Sequence, residues 1–86
     1  MKDVLLFVLK GCPHCRRALG YQQELLEEQP AWREAPLTIV DEREQRGLAA
    51  TYDYYLVPTY YVDGEKVHEG RVEKEDVARV FRLAAE

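Results

Sequence analysis

The chain has 86 residues, a formal net charge of −4 and 47% apolar residues. This composition suffices for one modest hydrophobic core, so we expect a single domain over residues 1–86 and a monomer. The negative charge argues against nucleic acid and anionic membranes as partners, since both attract a basic surface.

The N-terminal region shows no targeting segment. Its apolar run, residues 4–9, is too short for the core of a signal peptide or for a membrane span, and Lys10 and Gly11 follow it directly. We therefore expect the chain to start at Met1 and to stay in the cytoplasm. In that reducing compartment two cysteines are poor candidates for a structural disulfide.

The first elements alternate between strand and helix. Residues 4–9 are typical of a buried central strand. Pro13 favours a helix start, and apolar residues then recur at helical spacing until about Gln29. Residues 37–40 predict a second strand, and residues 42–51 predict a second helix.

The C-terminal part predicts a hairpin followed by a helix. Thr59–Val62 and residues 66–68 are short strand patterns around Asp63-Gly64, a strong hairpin signal. Residues 72–84 then repeat apolar positions at helical spacing. The order β-α-β-α-β-β-α predicts an α/β fold, in which a four-stranded mixed sheet has helices on its faces.

The chemistry is expected at Gly11-Cys12-Pro13-His14-Cys15, where the first strand meets the first helix. The first N–H groups of a helix have no partner within it and carry roughly half a positive charge. A Cys12 thiolate there should accept hydrogen bonds from them, which lowers its pKa from about 8.5 to roughly 3.5–7.5. Cys12 is the predicted nucleophile, and the shielded Cys15 is the predicted resolving thiol.

Two neighbouring side chains are further candidates. A protonated His14 imidazole would stabilise the Cys12 thiolate and make the protein more oxidising. The alternative is a solvated His14 that only sets the spacing. Lys10 is a candidate to hold a substrate carboxylate, or simply ends the strand in solvent.

Pro58 follows Val57 at the entry to the third strand, where a proline would interrupt strand pairing. A cis Val57–Pro58 bond in a turn against the cysteines is one solution, and a trans proline in a loop is the other. In the first case the backbone of Val57 would pair with an incoming substrate chain as an added strand.

These residues resemble the thioredoxin superfamily, and glutaredoxins in particular. The resemblance covers nearly the whole chain and implies a thioredoxin-like (glutaredoxin-type) fold, with Pro58 in cis, Cys12 as nucleophile and Cys15 as resolving thiol. It implies exchange with protein disulfides or glutathione mixed disulfides and no bound cofactor. Glutathione or a thioredoxin-reductase-like protein would be the reductant. The matching motifs are Cys12-Pro13-His14-Cys15, Arg16-Arg17-Ala18-Leu19 and Val57-Pro58-Thr59.

The sequence departs from glutaredoxins at three places. Those proteins usually have tyrosine or phenylalanine at the position of His14, threonine at that of Leu56, and a Gly-Gly pair where Gly70 precedes Arg71. Residues 48–52 are instead similar to thioredoxins, and disulfide-forming oxidases of the superfamily carry a histidine between the cysteines. The electron donor and the direction of exchange therefore stay open.

Two alternatives of other classes also stay open. The cysteines supply half of a tetrahedral zinc site, to which His14 or His68 would add a third ligand. By resemblance to some glutaredoxins, an iron–sulfur cluster shared across a dimer is a related possibility. We favour the exchange activity and assign no metal ligand. A non-catalytic adaptor would instead use a tyrosine cluster as its contact surface, composed of Tyr52, Tyr54, Tyr55, Tyr60 and Tyr61.

Overall fold

Seven helices and strands follow one another in the predicted order. The computed structural model describes all residues, Met1–Glu86. A 3₁₀ turn at Pro30–Glu34, which the sequence pattern did not indicate, separates the first helix from the second strand. None of the helices combines the length and apolar composition needed to cross a bilayer. The elements are β1 (Val4–Val8), α1 (Pro13–Glu28), β2 (Leu37–Asp41), α2 (Arg46–Ala49), β3 (Thr59–Val62), β4 (Glu65–Glu69) and α3 (Lys74–Ala84).

The four strands form one mixed sheet in the order β2-β1-β3-β4. Strand β1 runs parallel to β2, with Val4 opposite Leu37, and antiparallel to β3, with Val4 opposite Val62. Strands β3 and β4 are antiparallel and shift register between Tyr60 and Tyr61. The predicted central position of β1 is confirmed. The C-terminal ends of β1 and β2 therefore lie at the same edge of the sheet as the N-terminal end of β3.

The hairpin between β3 and β4 turns at Asp63-Gly64, as predicted. The φ angles of these residues are +51° and +82°. Positive φ at both central positions is characteristic of a type I′ turn, whose twist matches that of the flanking strands. Glycine adopts this conformation without steric cost, and aspartate tolerates it better than most residues.

The larger core lies between one face of the sheet and helices α1 and α3. Val77, Val80 and Phe81 of α3 are almost completely buried there, which confirms the predicted apolar face of that helix. Trp32 of the 3₁₀ turn stacks on Phe81, with ring centroids 6.0 Å apart. Cys15 belongs to this core and is only 3% exposed.

One buried hydrogen bond links α1 to the sheet. The hydroxyl of Tyr60 donates to Oε1 of Gln22 at 2.8 Å, and both side chains are buried. The helical spacing placed Gln22 among apolar residues on the inner face of α1. The bond shows how this face accommodates an amide, since buried polar groups need partners.

Aromatic side chains cover much of the opposite face of the sheet. Phe7 of β1 packs against Tyr52 and Tyr54, with ring centroids 5.0 and 4.8 Å away. Tyr61 meets Phe7 edge-on at 5.9 Å, and Val40 completes this smaller core. Because α2 has only four residues, the loop that follows it supplies most of the packing here.

The second helix is shorter than predicted. Residues 42–45 form turns, and the helix spans only Arg46–Ala49. Oδ1 of Asp41 accepts hydrogen bonds from the N–H groups of Arg43 and Glu44 at 2.8 and 3.3 Å. Such local bonds compete with helical pairing, which explains why the prediction was wrong over this stretch. The other predicted boundaries differ from the observed ones by at most two residues.

Replacing Tyr60 with phenylalanine tests the buried bond. Tyr60→Phe should lower the free energy of unfolding by about 1–3 kcal/mol, because the oxygen of Gln22 stays buried without a donor. Urea unfolding of the reduced protein measures this loss. Tyr55→Phe is the matched control, since Tyr55 is 91% exposed, and should change stability by less than about 0.5 kcal/mol.

Adding Gln22→Leu to Tyr60→Phe removes the orphaned oxygen and should recover part of the lost stability. A Tyr60→Phe protein as stable as the wild type would contradict this role of the bond.

Candidate active site

The chain turns from β1 into α1 through a short loop that ends at Cys12. Gly11 has a φ of +91°, in the left-handed region that favours glycine. The N–H of Cys12 donates to the carbonyl of Leu9 at 3.0 Å. Cys12 is then the N-cap residue of α1, and Pro13 is the first helical residue. The predicted helix start is confirmed, and the cysteine motif lies at the strand–helix junction.

The sulfur of Cys12 lies at the start of α1. The N–H of Cys15 donates to Sγ of Cys12 at 3.4 Å. Partial burial acts to raise the pKa of the Cys12 thiol. The N–H and thiol of Cys15, the N–H of His14 and the charge of Arg16 oppose this and together bring the pKa below its ordinary value. The helix start thus favours a thiolate at Cys12.

The second cysteine has the opposite environment. Burial raises the pKa of the Cys15 thiol to about 12, and hydrogen bonding to Cys12 acts in the same direction. The charges of Cys12 and Glu42 raise it further, whereas the N–H of Leu9 opposes these effects. The two thiols are not joined to each other. One is exposed enough to react as a thiolate, and the other is a protonated thiol in the core.

The carboxylate of Glu42 is held by a tyrosine. The hydroxyl of Tyr54 donates to Oε1 of Glu42 at 2.7 Å. Burial and the bond to Glu42 both raise the pKa of Tyr54, so its hydroxyl keeps its proton at neutral pH. The influence of Glu42 on Cys15 could not be predicted from the sequence, because only the parallel pairing of β1 and β2 brings the end of β2 to the cysteine motif.

The segment 57–58 contacts the cysteines from the other side. The Val57–Pro58 peptide bond is cis, and Pro58 is fully buried. The carbonyl oxygen of Val57 lies 4.0 Å from Sγ of Cys12, across 45 positions of sequence. The N–H of Val57 has no partner within the protein. One backbone edge beside the nucleophile is therefore free to pair with another chain.

A carboxylate anchors the loop that leads to Val57. Oε2 of Glu69 accepts hydrogen bonds from the N–H groups of Tyr55 and Leu56 at 2.5 and 2.9 Å. Its Oε1 pairs with Nζ of Lys66 at 2.8 Å. The bond to Lys66 and those to the two N–H groups hold the pKa of Glu69 at about 2. Nothing in the sequence pattern identified this anchor, since it depends on the loop facing the end of β4.

A shallow cavity of about 340 Å³ opens beside Cys12. Leu9 and Leu19 supply apolar lining, whereas Lys10 and Arg16 bring positive charge to it. The main-chain N–H of Lys10 donates to Oδ2 of Asp41 at 2.9 Å, which links the loop after β1 to the end of β2. Of the predicted flanking residues, Lys10 and Val57 thus both lie close to Cys12.

The imidazole of His14 is exposed and makes no hydrogen bond to the protein, so its predicted effect on Cys12 stays a prediction. His68 lies elsewhere, and its Nε2 is 2.7 Å from the carbonyl oxygen of Arg71. No group of three or more His, Cys, Asp or Glu side chains is arranged to hold a metal ion.

The tyrosines do not form one common surface. Tyr60 and Tyr61 are buried, and Tyr52 and Tyr54 pack against Phe7. Only Tyr55 is fully exposed among the five tyrosines of the cluster. These side chains therefore serve mainly to build the core.

Comparison with solved structures identifies proteins of similar fold. No protein-family model and no curated protein sequence matches the chain. Among solved structures, a malarial protein covers 100% of this chain and 99% of its own, with 18% identity and a TM-score of 0.76. A mutant thioredoxin from Halobacterium salinarum is 24% identical, covering 99% of this chain and 75% of its own, with a TM-score of 0.72. The oxidised thioredoxin from Plasmodium falciparum is 16% identical, covering 99% and 82%, with a TM-score of 0.75. The chain has a thioredoxin-like fold, as the resemblance implied.

Alkylation should separate the two thiols. Iodoacetamide should modify Cys12 of the native reduced protein with a pH midpoint below about 8.5, the value for an ordinary cysteine. Cys15 should stay unmodified at neutral pH, because burial both raises its pKa and shields it from the reagent. Mass spectrometry of each residue as a function of pH measures both rates.

The control is the unfolded protein, in which both cysteines should react at similar rates. Equal rates in the native protein, or faster modification of Cys15, would contradict the assigned environments.

Proposed function

We propose that the protein is a thiol–disulfide oxidoreductase that reduces disulfides in proteins or mixed disulfides of glutathione. The observation that carries this proposal is the contrast between Cys12, whose pKa is lowered at a helix start, and Cys15, whose pKa is raised in the core. The thioredoxin-like fold supports it, since several similar structures are thioredoxins. The dithiol mechanism, the substrates and the electron donor are part of the proposal.

The first step is attack by the Cys12 thiolate on one sulfur of the substrate disulfide. The substrate S–S bond breaks, its other sulfur leaves as a thiolate, and Cys12 becomes joined to the substrate in a mixed disulfide. A lowered pKa raises the fraction of Cys12 present as thiolate near neutral pH. Cys12 is only partly buried, which gives the substrate access to its sulfur.

The second step is attack by Cys15 on Sγ of Cys12. Cys15 must first lose its proton, which the departing substrate thiolate is able to accept. The mixed disulfide then breaks, a Cys12–Cys15 disulfide forms, and the second substrate sulfur leaves. Two electrons have moved from the protein to the substrate. Once Cys12 is in the mixed disulfide it carries no charge, so one of the influences that raise the pKa of Cys15 is gone.

The backbone of Val57 is proposed to position the substrate. Its free N–H and its carbonyl, 4.0 Å from Sγ of Cys12, suit an extended substrate segment that adds to the sheet edge as a further strand. The anchor at Glu69 holds this loop in place through the N–H groups of Tyr55 and Leu56. Lys10, at the cavity beside Cys12, is the proposed contact for a substrate carboxylate.

Single cysteine variants test the mechanism. Cys12→Ser should abolish disulfide reduction, because the nucleophile is lost. Cys15→Ser should accumulate a mixed disulfide between Cys12 and the substrate, because the resolving step is blocked. Non-reducing gels and intact mass after incubation with a disulfide-bonded protein measure both outcomes.

Trapping through Cys15 in the Cys12→Ser protein would reverse the assigned roles. A Cys12→Ser protein with full reductase activity would contradict the proposal, and stoichiometric zinc or iron in the purified protein would favour the metal-binding alternative.

The redox equilibrium of the two cysteines tests the direction of exchange. Titration against glutathione buffers, read by alkylation and mass, should give a potential of roughly −200 to −230 mV or below, as for a reductant. A value near about −120 mV would make the protein a disulfide donor instead. A His14→Tyr variant measures the imidazole's contribution, and we expect it to be more reducing than the wild type.

A further inference from the structure

Several cations beside Cys12 have no acidic partner. Ion pairs elsewhere in the protein engage Lys66, Arg71, Lys74 and Arg82. Near the cysteines, in contrast, five exposed cations make neither an ion pair nor a side-chain hydrogen bond, and Arg17 is one of them. The other four line two surface cavities, and we name them the basic rim, which consists of Lys10, Arg16, Arg43 and Arg46.

The carboxylates closest in sequence to the basic rim are engaged by other groups. Asp41 accepts hydrogen bonds from the main-chain N–H groups of Lys10, Arg43 and Glu44. Glu42 accepts the hydroxyl of Tyr54. Only the exposed side chain of Glu44 is without a partner there. The cations of the rim are thus left without local neutralisation.

The local charge is opposite in sign to that of the whole protein. Segments 10–17 and 41–46 together contain five of the 12 lysines and arginines but only three of the 16 acidic residues. The chain as a whole carries a net charge of −4. A positive surface beside the nucleophile of an otherwise acidic protein attracts anionic groups.

The basic rim is continuous with the cavity at Cys12. Lys10 and Arg16 line that cavity, and Arg43 and Arg46 line a second one of about 440 Å³. Leu9 lines both, so the two cavities are neighbours.

The second cavity has the composition of a protein contact. It is lined by Arg43, Arg46 and the exposed Tyr55, and arginine and tyrosine are enriched at protein interfaces. Arg71, which follows β4, is by contrast paired with Glu73 at 3.5 Å.

We propose that the basic rim recognises a protein substrate whose disulfide lies in an acidic segment. Carboxylates of that segment would meet Arg43 and Arg46 while its backbone pairs with Val57 and its disulfide reaches Cys12. The inference rests on the exchange activity proposed above and adds the class of substrate. Complementary charge at an exposed rim acts mainly on association rate and specificity, and salt screens it.

Three synthetic peptides of equal length test this substrate class. Each carries one internal disulfide, flanked by glutamates, by glutamines or by lysines. The wild type should reduce the glutamate peptide about fivefold faster than the glutamine peptide at low ionic strength, measured as kcat/KM. The lysine peptide should be slowest, and high salt should bring the three rates together.

Charge-reversal variants test whether the preference for the glutamate peptide depends on Arg43 and Arg46. Arg43→Glu/Arg46→Glu should abolish or invert the preference for the glutamate peptide over the glutamine peptide. Lys2→Glu/Arg33→Glu is the matched control, because it changes the net charge equally at exposed positions away from the rim, before β1 and in the 3₁₀ turn after α1. The control should keep the wild-type preference. Thermal unfolding of both variants checks that they fold.

The outcomes separate the two proposals. Equal reduction of all three peptides, or equal loss of preference in both variants, overturns the substrate class and leaves the exchange activity intact. No reduction of any peptide overturns the exchange activity itself. If Arg43→Glu/Arg46→Glu impairs reduction of glutathione disulfide as strongly as that of the glutamate peptide, the rim serves a small anionic thiol and the inference is wrong.

Discussion

The unpaired N–H groups at the start of α1 are the constraint on which the site depends. They exist because a helix cannot pair its first amides, and they act on a sulfur because Gly11 turns the chain so that Cys12 becomes the N-cap residue. The buried strand β1 holds this turn in the middle of the sheet. Partial burial alone would raise the pKa of Cys12. The N–H groups of Cys15 and His14 help to overcome this effect, so the pKa is lowered instead.

The same helix turn makes the two cysteines unequal. Cys15 follows Cys12 by about one helical turn, and this places its side chain in the core between the sheet and the helices. There, burial favours the neutral thiol, and the nearby charge of Glu42 acts in the same direction. In the proposed exchange, this packing sets the order of the chemical steps, because only Cys12 is accessible to a substrate as a thiolate. Val57 and the cavity lined by Lys10 and Arg16 lie beside that partly buried thiol.

Local patterns predicted most of the architecture, and contacts between distant segments account for what they missed. The apolar run of β1, the proline at the start of α1 and Asp63-Gly64 each act within a few residues, so they could be interpreted without a structure. The length of the second helix was overestimated because the carboxylate of Asp41 accepts hydrogen bonds from the N–H groups of Arg43 and Glu44. The anchor at Glu69 and the unpaired charges of the rim could not be predicted, since each depends on which side chains face one another.

The anchor at Glu69 has a consequence for the behaviour of the site in acid. Its pKa of about 2 is below the ordinary value of 4.5, so the stability it contributes is full at neutral pH, declines as the pH falls below 4.5 and is gone below about 2. Acid also works against a thiolate at Cys12, and at about pH 3, below the range of roughly 3.5–7.5 found for cysteines at helix starts, the proposed exchange would stop. Acid would therefore arrest the proposed exchange at a pH where Glu69, in the folded protein, is still charged and still accepts the N–H groups of Tyr55 and Leu56.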